Sequence, residues 1–317
     1  MKVQNTRPPI NPLFVITIGI MAVSTSSIFI RYAQETSSSI VIAAYRLGIA
    51  TLILAPLAIG PGKLNLKEMH KRQLVLILIS GICLAFHFAT WISSLAYTTV
   101  ASSVVLVSTS PLWVAIFATI FLKERINRNI WVGLAITIVG SVTIGMSEVC
   151  HISGGGIYCT SFGDILNGRG FIGDLLALSG ALFASGYLLI GRMLRPKISL
   201  TSYIFLVYGT AAIVLWLLAG LTQQKLTGFP VITYFWFLAL AIVPQLIGHS
   251  AFNWSLRYLS TVFVSLSLLG EPIGSILLAY LILKEIPSIT EVSGAILVLI
   301  GIFLASRVEF RSRTIVD

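Results

Sequence analysis

Two stretches of the chain decide its fold. Residues 95–124 read LAYTTVASSVVLVSTSPLWVAIFATIFLKE, and residues 256–285 read LRYLSTVFVSLSLLGEPIGSILLAYLILKE. At a shift of 161 residues, Pro111 aligns with Pro272 and the terminal Lys-Glu pairs of the two stretches coincide. The same shift, without a gap, places LFVITIGIMAVSTSSIFIR (13–31) on DLLALSGALFASGYLLIGR (174–192). A single offset that holds over this length indicates an internal duplication.

The composition assigns the chain to the lipid bilayer. Of its 317 residues, 56% are hydrophobic and 10% are charged, whereas soluble domains contain about 25% charged residues. The formal charge of +10 could suggest nucleic acid as a partner. The basic residues, however, lie in short clusters between apolar runs, a placement that serves membrane topology. We therefore expect a membrane protein that does not bind nucleic acid.

Ten apolar runs are long enough to cross about 30 Å of hydrocarbon as helices. They are residues 13–30, 38–59, 74–95, 102–122, 130–147, 174–191, 201–221, 231–251, 262–283 and 289–306. With the N-terminus in the cytoplasm, 16 of the 21 Lys and Arg residues fall on the cytoplasmic side. This asymmetry predicts that both termini are cytoplasmic. The chain is expected to be a multi-pass protein of the cell membrane, either the plasma membrane or the bacterial inner membrane.

Each copy of the repeat contains five of these runs. Because five is odd, the second copy enters the membrane in the opposite orientation, which predicts an all-α integral membrane fold of two inverted five-helix repeats. The predicted divisions are residues 1–147, an external loop at 148–173, the second repeat at 174–306 and a cytoplasmic tail at 307–317. Secondary transporters use this architecture, with the substrate site near the midplane between the halves.

The two copies resemble the EamA branch of the drug/metabolite transporter superfamily. Each has a Tyr, a small-residue stretch, a mid-helix Pro and a Glu at the helix end. Each is followed by a glycine-spaced final helix, GLAITIVG (133–140) or GAILVLIG (294–301). The resemblance covers nearly the whole chain and implies this fold and transport of small organic solutes, often export. It does not imply a particular substrate.

Glu271 is the first candidate site residue. It lies 14 residues after Arg257 and 13 before Lys284, so it is expected near the middle of a span, where an acid is by default a functional hypothesis. It either binds protons or a cationic substrate, or is a structural carboxylate that pairs with Arg46. Its neighbour Pro272 and the equivalent Pro111 are expected to kink or unwind their helices.

Further polar and aromatic candidates share helix faces. Gln245, His249 and Asn253 recur at every fourth position, with Trp254 beside them. A polar stripe on a membrane helix faces the protein interior or a cavity, so these groups either bind a polar solute or bond neighbouring helices. His87 and Trp91 repeat the spacing in the third predicted helix.

Tyr45 and Arg46 lie about 12 Å into the second predicted helix. Arg46 could meet a substrate carboxylate, neutralise Glu271, or extend to the membrane surface. Cys150 and Cys159 bracket HISGGGIY (151–158) within the predicted external loop, where they form either a disulfide or two free thiols. No Cys/His set has zinc spacing, so neither a metal nor a cofactor is expected.

The predicted function is secondary transport of a small amphipathic metabolite, such as an amino acid, in the outward direction and by alternating access. Coupling to protons is left open, as is the choice between a monomer and a homodimer. The alternatives are an intramembrane enzyme and a passive channel that use the same polar residues. The predicted helix interiors contain no Asp for an aspartyl protease, and the sequence contains neither a Gly-x-Ser-x-Gly elbow nor a Walker motif. The chain is therefore not expected to be an enzyme.

Overall fold

The structure is a computed structural model. It describes residue 8 and residues 10–60, 69–122, 128–147, 150–153, 156–159, 168–194, 198–255, 257–258, 264, 267–268 and 270–313.

The described part of the chain is helical apart from one short β-hairpin. In chain order its elements are α1 (Pro12–Gln34), α2 (Ser39–Ala58), α3 (Lys71–Ser94), α4 (Val100–Val107), α5 (Ser110–Leu122), α6 (Arg128–Ser147), β1 (Cys150–Ser153), β2 (Gly156–Cys159), α7 (Arg169–Leu194), α8 (Leu200–Leu221), α9 (Val231–Ser255), α10 (Gly270–Leu283) and α11 (Ile289–Arg313).

Helix length and surface chemistry identify an integral membrane protein. Within the described ranges, the six helices α1, α2, α3, α7, α8 and α9 are long and apolar enough to cross a bilayer, and four shorter apolar helices accompany them. Large apolar side chains such as Leu52, Leu217 and Leu221 are exposed on the outer helix faces. Exposed apolar surface on this scale is stable when it faces lipid.

The helices pair across the two repeats in a regular way. The first helix of one copy packs against the third helix of the other: α1 against α9, and α3 against α7. The second helices, α2 and α8, pack together, as do the final helices α6 and α11. The main buried apolar cluster lies among α2, α3, α7, α8 and α9.

The final helices approach closely because glycines lie at their crossing. A Cβ atom on Gly140 would be 2.8 Å from the carbonyl oxygen of Gly294, and one on Gly301 would be 2.6 Å from the carbonyl oxygen of Gly133. Real Cβ atoms essentially never come within 3.0 Å of such atoms. The GLAITIVG and GAILVLIG segments therefore bring the two backbones together, as small residues do in other membrane helix pairs.

Both predicted mid-helix prolines lie at the start of a helix instead. A turn at Ser108–Thr109 separates α4 from α5, and Pro111 is the second residue of α5. Pro272 is the third residue of α10. Proline is tolerated in a first turn because the N–H it lacks has no intrahelical partner there. Both prolines therefore lie in a first helical turn, and kinking or unwinding of the helices at these positions stays a prediction.

Other predicted boundaries also shift. The second repeat begins earlier than residue 174, because α7 starts at Arg169 and Asp174 lies buried inside it, accepting a hydrogen bond from Thr98 Oγ1 at 3.1 Å. One helix interior therefore does contain an aspartate. The last helix extends to Arg313, through much of the predicted tail. The beginning of the predicted ninth helix lies largely outside the described residues.

Candidate functional site

A cavity lies between the two repeats. It comprises about 730 Å³ of space unoccupied by protein atoms, part of which is open to the surroundings. Its lining residues come from helices α3, α4, α5, α7, α9 and α10 and from the turns that precede α5 and α10. They are His87, Trp91, Val107, Ser108, Ser110, Ala184, Tyr187, Leu188, His249, Phe252, Asn253, Leu268 and Glu271.

Repeat-related positions both contribute to the lining of this cavity. At the 161-residue offset, Trp91 corresponds to Phe252 and Ser110 corresponds to Glu271. Val107 and Leu268 form a third such pair in the wall. The cavity is therefore built from equivalent segments of both copies, and Glu271 is the acid among its described lining residues.

The Glu271 carboxylate has no direct protein partner within the described part of the chain. Its backbone N–H donates to the carbonyl oxygen of Leu268 at 3.0 Å, and its carbonyl oxygen accepts a hydrogen bond from Ser24 Oγ at 3.4 Å. The side chain itself lies in the cavity wall. It interacts with Arg46 electrostatically but does not form a salt bridge with it. The predicted structural pairing of these residues is thus absent from this conformation.

Arg46 is held behind the cavity wall. Its side chain is fully buried, and it donates from Nε to Gln245 Oε1 and from Nη1 to Ser26 Oγ, each at 2.8 Å. The guanidinium also lies 4.2 Å from the centre of the Phe88 ring, which is a cation–π distance. Arg46 therefore joins α2 to α1, α3 and α9 in this conformation.

The His87 side chain has a defined tautomer. Its Nδ1 lies 2.9 Å from the carbonyl oxygen of Gly180, and because a carbonyl can only accept, Nδ1 carries the proton. In the neutral ring, Nε2 is then a hydrogen-bond acceptor. The imidazole stacks on Trp91 with ring centres 5.8 Å apart.

The predicted polar stripe on α9 divides between two environments. Asn253 donates from Nδ2 to Tyr187 Oη at 2.7 Å and to the His249 carbonyl oxygen at 2.8 Å, and His249 and Asn253 both line the cavity. Gln245 instead bonds Arg46. Residues Ala241–His249 form a π-helical segment that contains Pro244, in which four positions no longer return to the same face as in an α-helix.

Tyr45 and Trp254 are two further predicted site residues that, like Arg46 and Gln245, do not line the cavity. Tyr45 donates to the carbonyl oxygen of Leu226 at 3.0 Å and stacks on Phe237 with ring centres 4.4 Å apart. Trp254 packs on Tyr258 with ring centres 4.5 Å apart. Neither lines the cavity. In this conformation both side chains contact residues that are not part of the cavity lining.

Sequence reasoning did not place Ser108, Phe252 or Leu268 in the site. For Phe252 and Leu268 a signal was present, because each is the repeat equivalent of another lining residue, Trp91 or Val107. Tyr187 lines the cavity as well, and its Oη accepts a hydrogen bond from Asn253 Nδ2.

A polar cluster joins several helix ends at one side of the molecule. Arg31 Nη2 forms an ion pair with Glu285 Oε1 at 3.0 Å and donates to the Thr98 carbonyl oxygen at the same distance. Glu285 Oε2 accepts from the backbone N–H of Val100 at 3.0 Å, and Glu291 accepts from Thr99 Oγ1. This cluster, which we call the end latch, connects α1, the α3–α4 turn, α10 and α11.

The predicted disulfide lies on the hairpin. Antiparallel pairing of β1 and β2 places the backbones of Cys150 and Cys159 opposite each other. Their side chains lie outside the described part of the structure, so the disulfide remains a prediction.

Comparison with known proteins assigns the chain to a family. The family model for the EamA-like transporter family matches residues 11–146 and again residues 171–307. The uncharacterized transporter YyaM of Bacillus subtilis is 23% identical over 283 residues, covering 88% of this chain and 87% of that protein. The pseudopaline exporter CntI of Pseudomonas aeruginosa is 22% identical over 301 residues, covering 93% and 96% respectively.

Two more similarities are informative. The S-adenosylmethionine uptake transporter of Rickettsia bellii is 28% identical over 134 residues, which is 42% of this chain and 44% of that protein. A solved crystal structure with 16% identity has a TM-score of 0.62 and covers 95% of this chain and 98% of its own. That likeness shows the fold alone. The two family-model matches span both copies of the repeat, and the chain therefore belongs to the EamA-like transporter family.

Proposed function

We propose that this chain is a secondary transporter that exports a small amphipathic metabolite, such as an amino acid, by alternating access. The observation that carries the proposal is the cavity between the repeats, with Glu271 as the charged side chain among its described lining residues. Family membership establishes transport in general and points away from an enzyme. Relatives are named both as an exporter and as an uptake transporter, so the choice of export is part of the proposal.

The helix pairings support ten spans arranged as two inverted repeats. If each helix is replaced by its equivalent in the other copy, the same helix pairs result. The pair α1–α9 becomes the pair α7–α3, and the pairs α2–α8 and α6–α11 remain the same pairs. A two-fold axis produces such a pattern. With five spans in each copy, that axis lies in the plane of the membrane, so the copies have opposite orientations. Both termini are then cytoplasmic, as the distribution of Lys and Arg predicts.

The end latch supports alternating access. By the predicted topology, Arg31 and Glu285 lie at the external ends of α1 and α10, where their ion pair joins the two repeats. A contact of this kind holds one side closed while the other side can open. Movement of one repeat against the other would break it and expose the same cavity to the opposite face.

Glu271 is proposed as the coupling acid. A carboxylate inside a membrane can be neutralised by a proton or by a positively charged solute. The titratable groups that share its cavity are His87 on α3, Tyr187 on α7 and His249 on α9, with Arg46 on α2 behind the wall. A proton on Glu271 would remove the cost of an unpaired buried charge when the cavity is empty.

The proposal can be tested with purified protein in proteoliposomes. Uptake of labelled amino acids is measured with and without an imposed pH gradient for the native chain, Glu271→Gln and Glu35→Gln. Glu35 is an exposed acid at the end of α1, away from the cavity, and serves as the matched control. We expect accumulation against a gradient for the native chain and for Glu35→Gln.

The variant Glu271→Gln separates transport from coupling. We expect it to retain flux down a solute gradient and to lose accumulation driven by the pH gradient. Normal pH-driven accumulation by this variant would show that coupling occurs elsewhere. Absence of flux for every solute in well-folded native protein would contradict the proposed function, and purely downhill flux would indicate a channel or a facilitator.

A further inference from the structure

We propose that the solute carries a positively charged nitrogen, which lies against Glu271, and an apolar or aromatic body, which lies against Trp91, Tyr187 and Phe252. This inference rests on the proposed function and assigns the chemical class of the substrate. It follows from the charges and hydrogen-bonding groups that the cavity presents.

When Glu271 is ionised, the cavity wall carries a negative charge. Among its described lining residues, Glu271 is an acid and none is a lysine or an arginine. Within the described part of the chain, the Glu271 carboxylate receives neither a hydrogen bond nor a salt bridge from the protein, as described above. An ionised carboxylate left unpaired inside a membrane is costly, so an occupant that brings an opposite charge is strongly favoured.

Arg46, a buried cation near Glu271, does not supply the opposite charge inside the cavity. It has Nε and Nη1 committed to Gln245 and Ser26 at 2.8 Å, and its guanidinium packs on Phe88. It is not among the residues that line the cavity. Arg46 therefore reduces the negative potential at Glu271 from outside the wall, whereas the cation that can touch the carboxylate from inside comes from the solute.

The rest of the wall also suits a cation. Trp91, Tyr187 and Phe252 are aromatic residues of the wall, and the faces of aromatic rings attract organic ammonium groups. Neutral His87, with Nδ1 bonded to Gly180, offers Nε2 as an acceptor for an N–H donor. An anionic solute would meet the Glu271 carboxylate with no cation among the described lining residues to offset the repulsion. The geometry therefore selects amines and disfavours acids of the same shape.

A charge-state series tests this selection. Binding to purified full-length protein is measured by calorimetry for phenylalanine amide, phenylalanine and N-acetylphenylalanine, which share one aromatic body and differ in net charge. The same three charge states of leucine and tryptophan extend the series. We expect the cation of each set to bind about tenfold or more tightly than the anion, since a hydrogen bond to a charged group is worth enough to shift affinity by that factor.

Three variants locate the source of the preference. Glu271→Gln is expected to reduce the cation-to-anion ratio to about threefold or less, while Glu271→Asp keeps the preference with weaker binding and Glu35→Gln leaves it unchanged. Equal or tighter binding of the anions, absence of binding throughout the series, or a preference that survives in Glu271→Gln would overturn the inference.

The flux assay keeps this inference separate from the proposed function. Native protein that accumulates an anionic solute, or a neutral one in preference to its amine, is still a transporter but contradicts recognition of a cation. A cation preference in binding without flux for any solute leaves the inference standing and contradicts transport. The two ideas therefore fail on different measurements.

Discussion

The crossing of α6 and α11 gives the sharpest prediction about stability. In Gly140→Ala the new Cβ would lie 2.8 Å from both the Gly294 carbonyl oxygen and the Val298 backbone nitrogen. Ordinary contact distances for a Cβ are 3.4–4 Å, so the helices must separate by more than about half an ångström. Both obstructing atoms belong to a backbone, which cannot rotate away as a flexible side chain can.

The expected cost comes from comparison with a second glycine. Overpacking of a tight contact costs about 1–3 kcal/mol, while replacing a helical glycine by alanine contributes up to about 1 kcal/mol in the opposite direction. A Cβ added to Gly220, near the end of α8, would have no atom within 4 Å, so Gly220→Ala reports the propensity effect alone. We expect Gly140→Ala to be less stable than Gly220→Ala by about 1–3 kcal/mol.

The assay is reversible unfolding by denaturant in mixed micelles. The free energy of unfolding is calculated with the same dependence on denaturant concentration for all variants. The double variant Gly140→Ala/Gly294→Ala should cost less than the sum of its single variants, because one separation of the helices relieves both contacts. If Gly140→Ala is as stable as Gly220→Ala, the two final helices do not cross at these glycines and the reasoning is refuted.

Three further predictions concern Arg46, the end latch and the hairpin. Arg46→Lys should lower the free energy of unfolding by about 1.5–3 kcal/mol, because one ammonium cannot replace two charged hydrogen bonds from a planar guanidinium. The Arg31–Glu285 pair, whose side chains are 26% and 28% exposed, should show a coupling energy below about 1 kcal/mol in a double-mutant cycle. Cys150 and Cys159 should resist alkylation until reductant is added, as mass spectrometry can show, because antiparallel partners lie within disulfide reach.

Arg46→Lys has a matched control, and each of the three predictions has an outcome that would contradict it. Arg169→Lys changes an exposed arginine near the ring of Tyr97 and should leave stability within about 0.5 kcal/mol of native. A cost for Arg46→Lys no larger than that would mean that its planar hydrogen bonds do not matter. A coupling energy of several kcal/mol for the end latch would show that the pair is more desolvated than its exposure indicates. Alkylation of both cysteines without reductant would establish two free thiols.

The sequence alone determined the broad class of the molecule. Hydrophobic runs of about twenty residues cannot be covered in water, and their backbone groups must be satisfied within the helix, so composition and run length dictate membrane helices. The single offset of 161 residues likewise identified the two copies, and the family model recovers both. At this level the information is local along the chain or strictly periodic, which is why no knowledge of tertiary contacts was needed.

Only the tertiary structure decided which polar side chains share a cavity. Gln245 and His249 have the same helical spacing as His249 and Asn253, yet the π-helical segment around Pro244 directs Gln245 to Arg46 instead. Glu271 and Arg46 looked equally able to pair or to remain apart, and the outcome depends on bonds between helices that are distant in sequence. The partner of a side chain depends on how whole helices rotate and pack against each other. These contacts join segments that are distant in sequence, so the spacing of residues within one segment does not predict them.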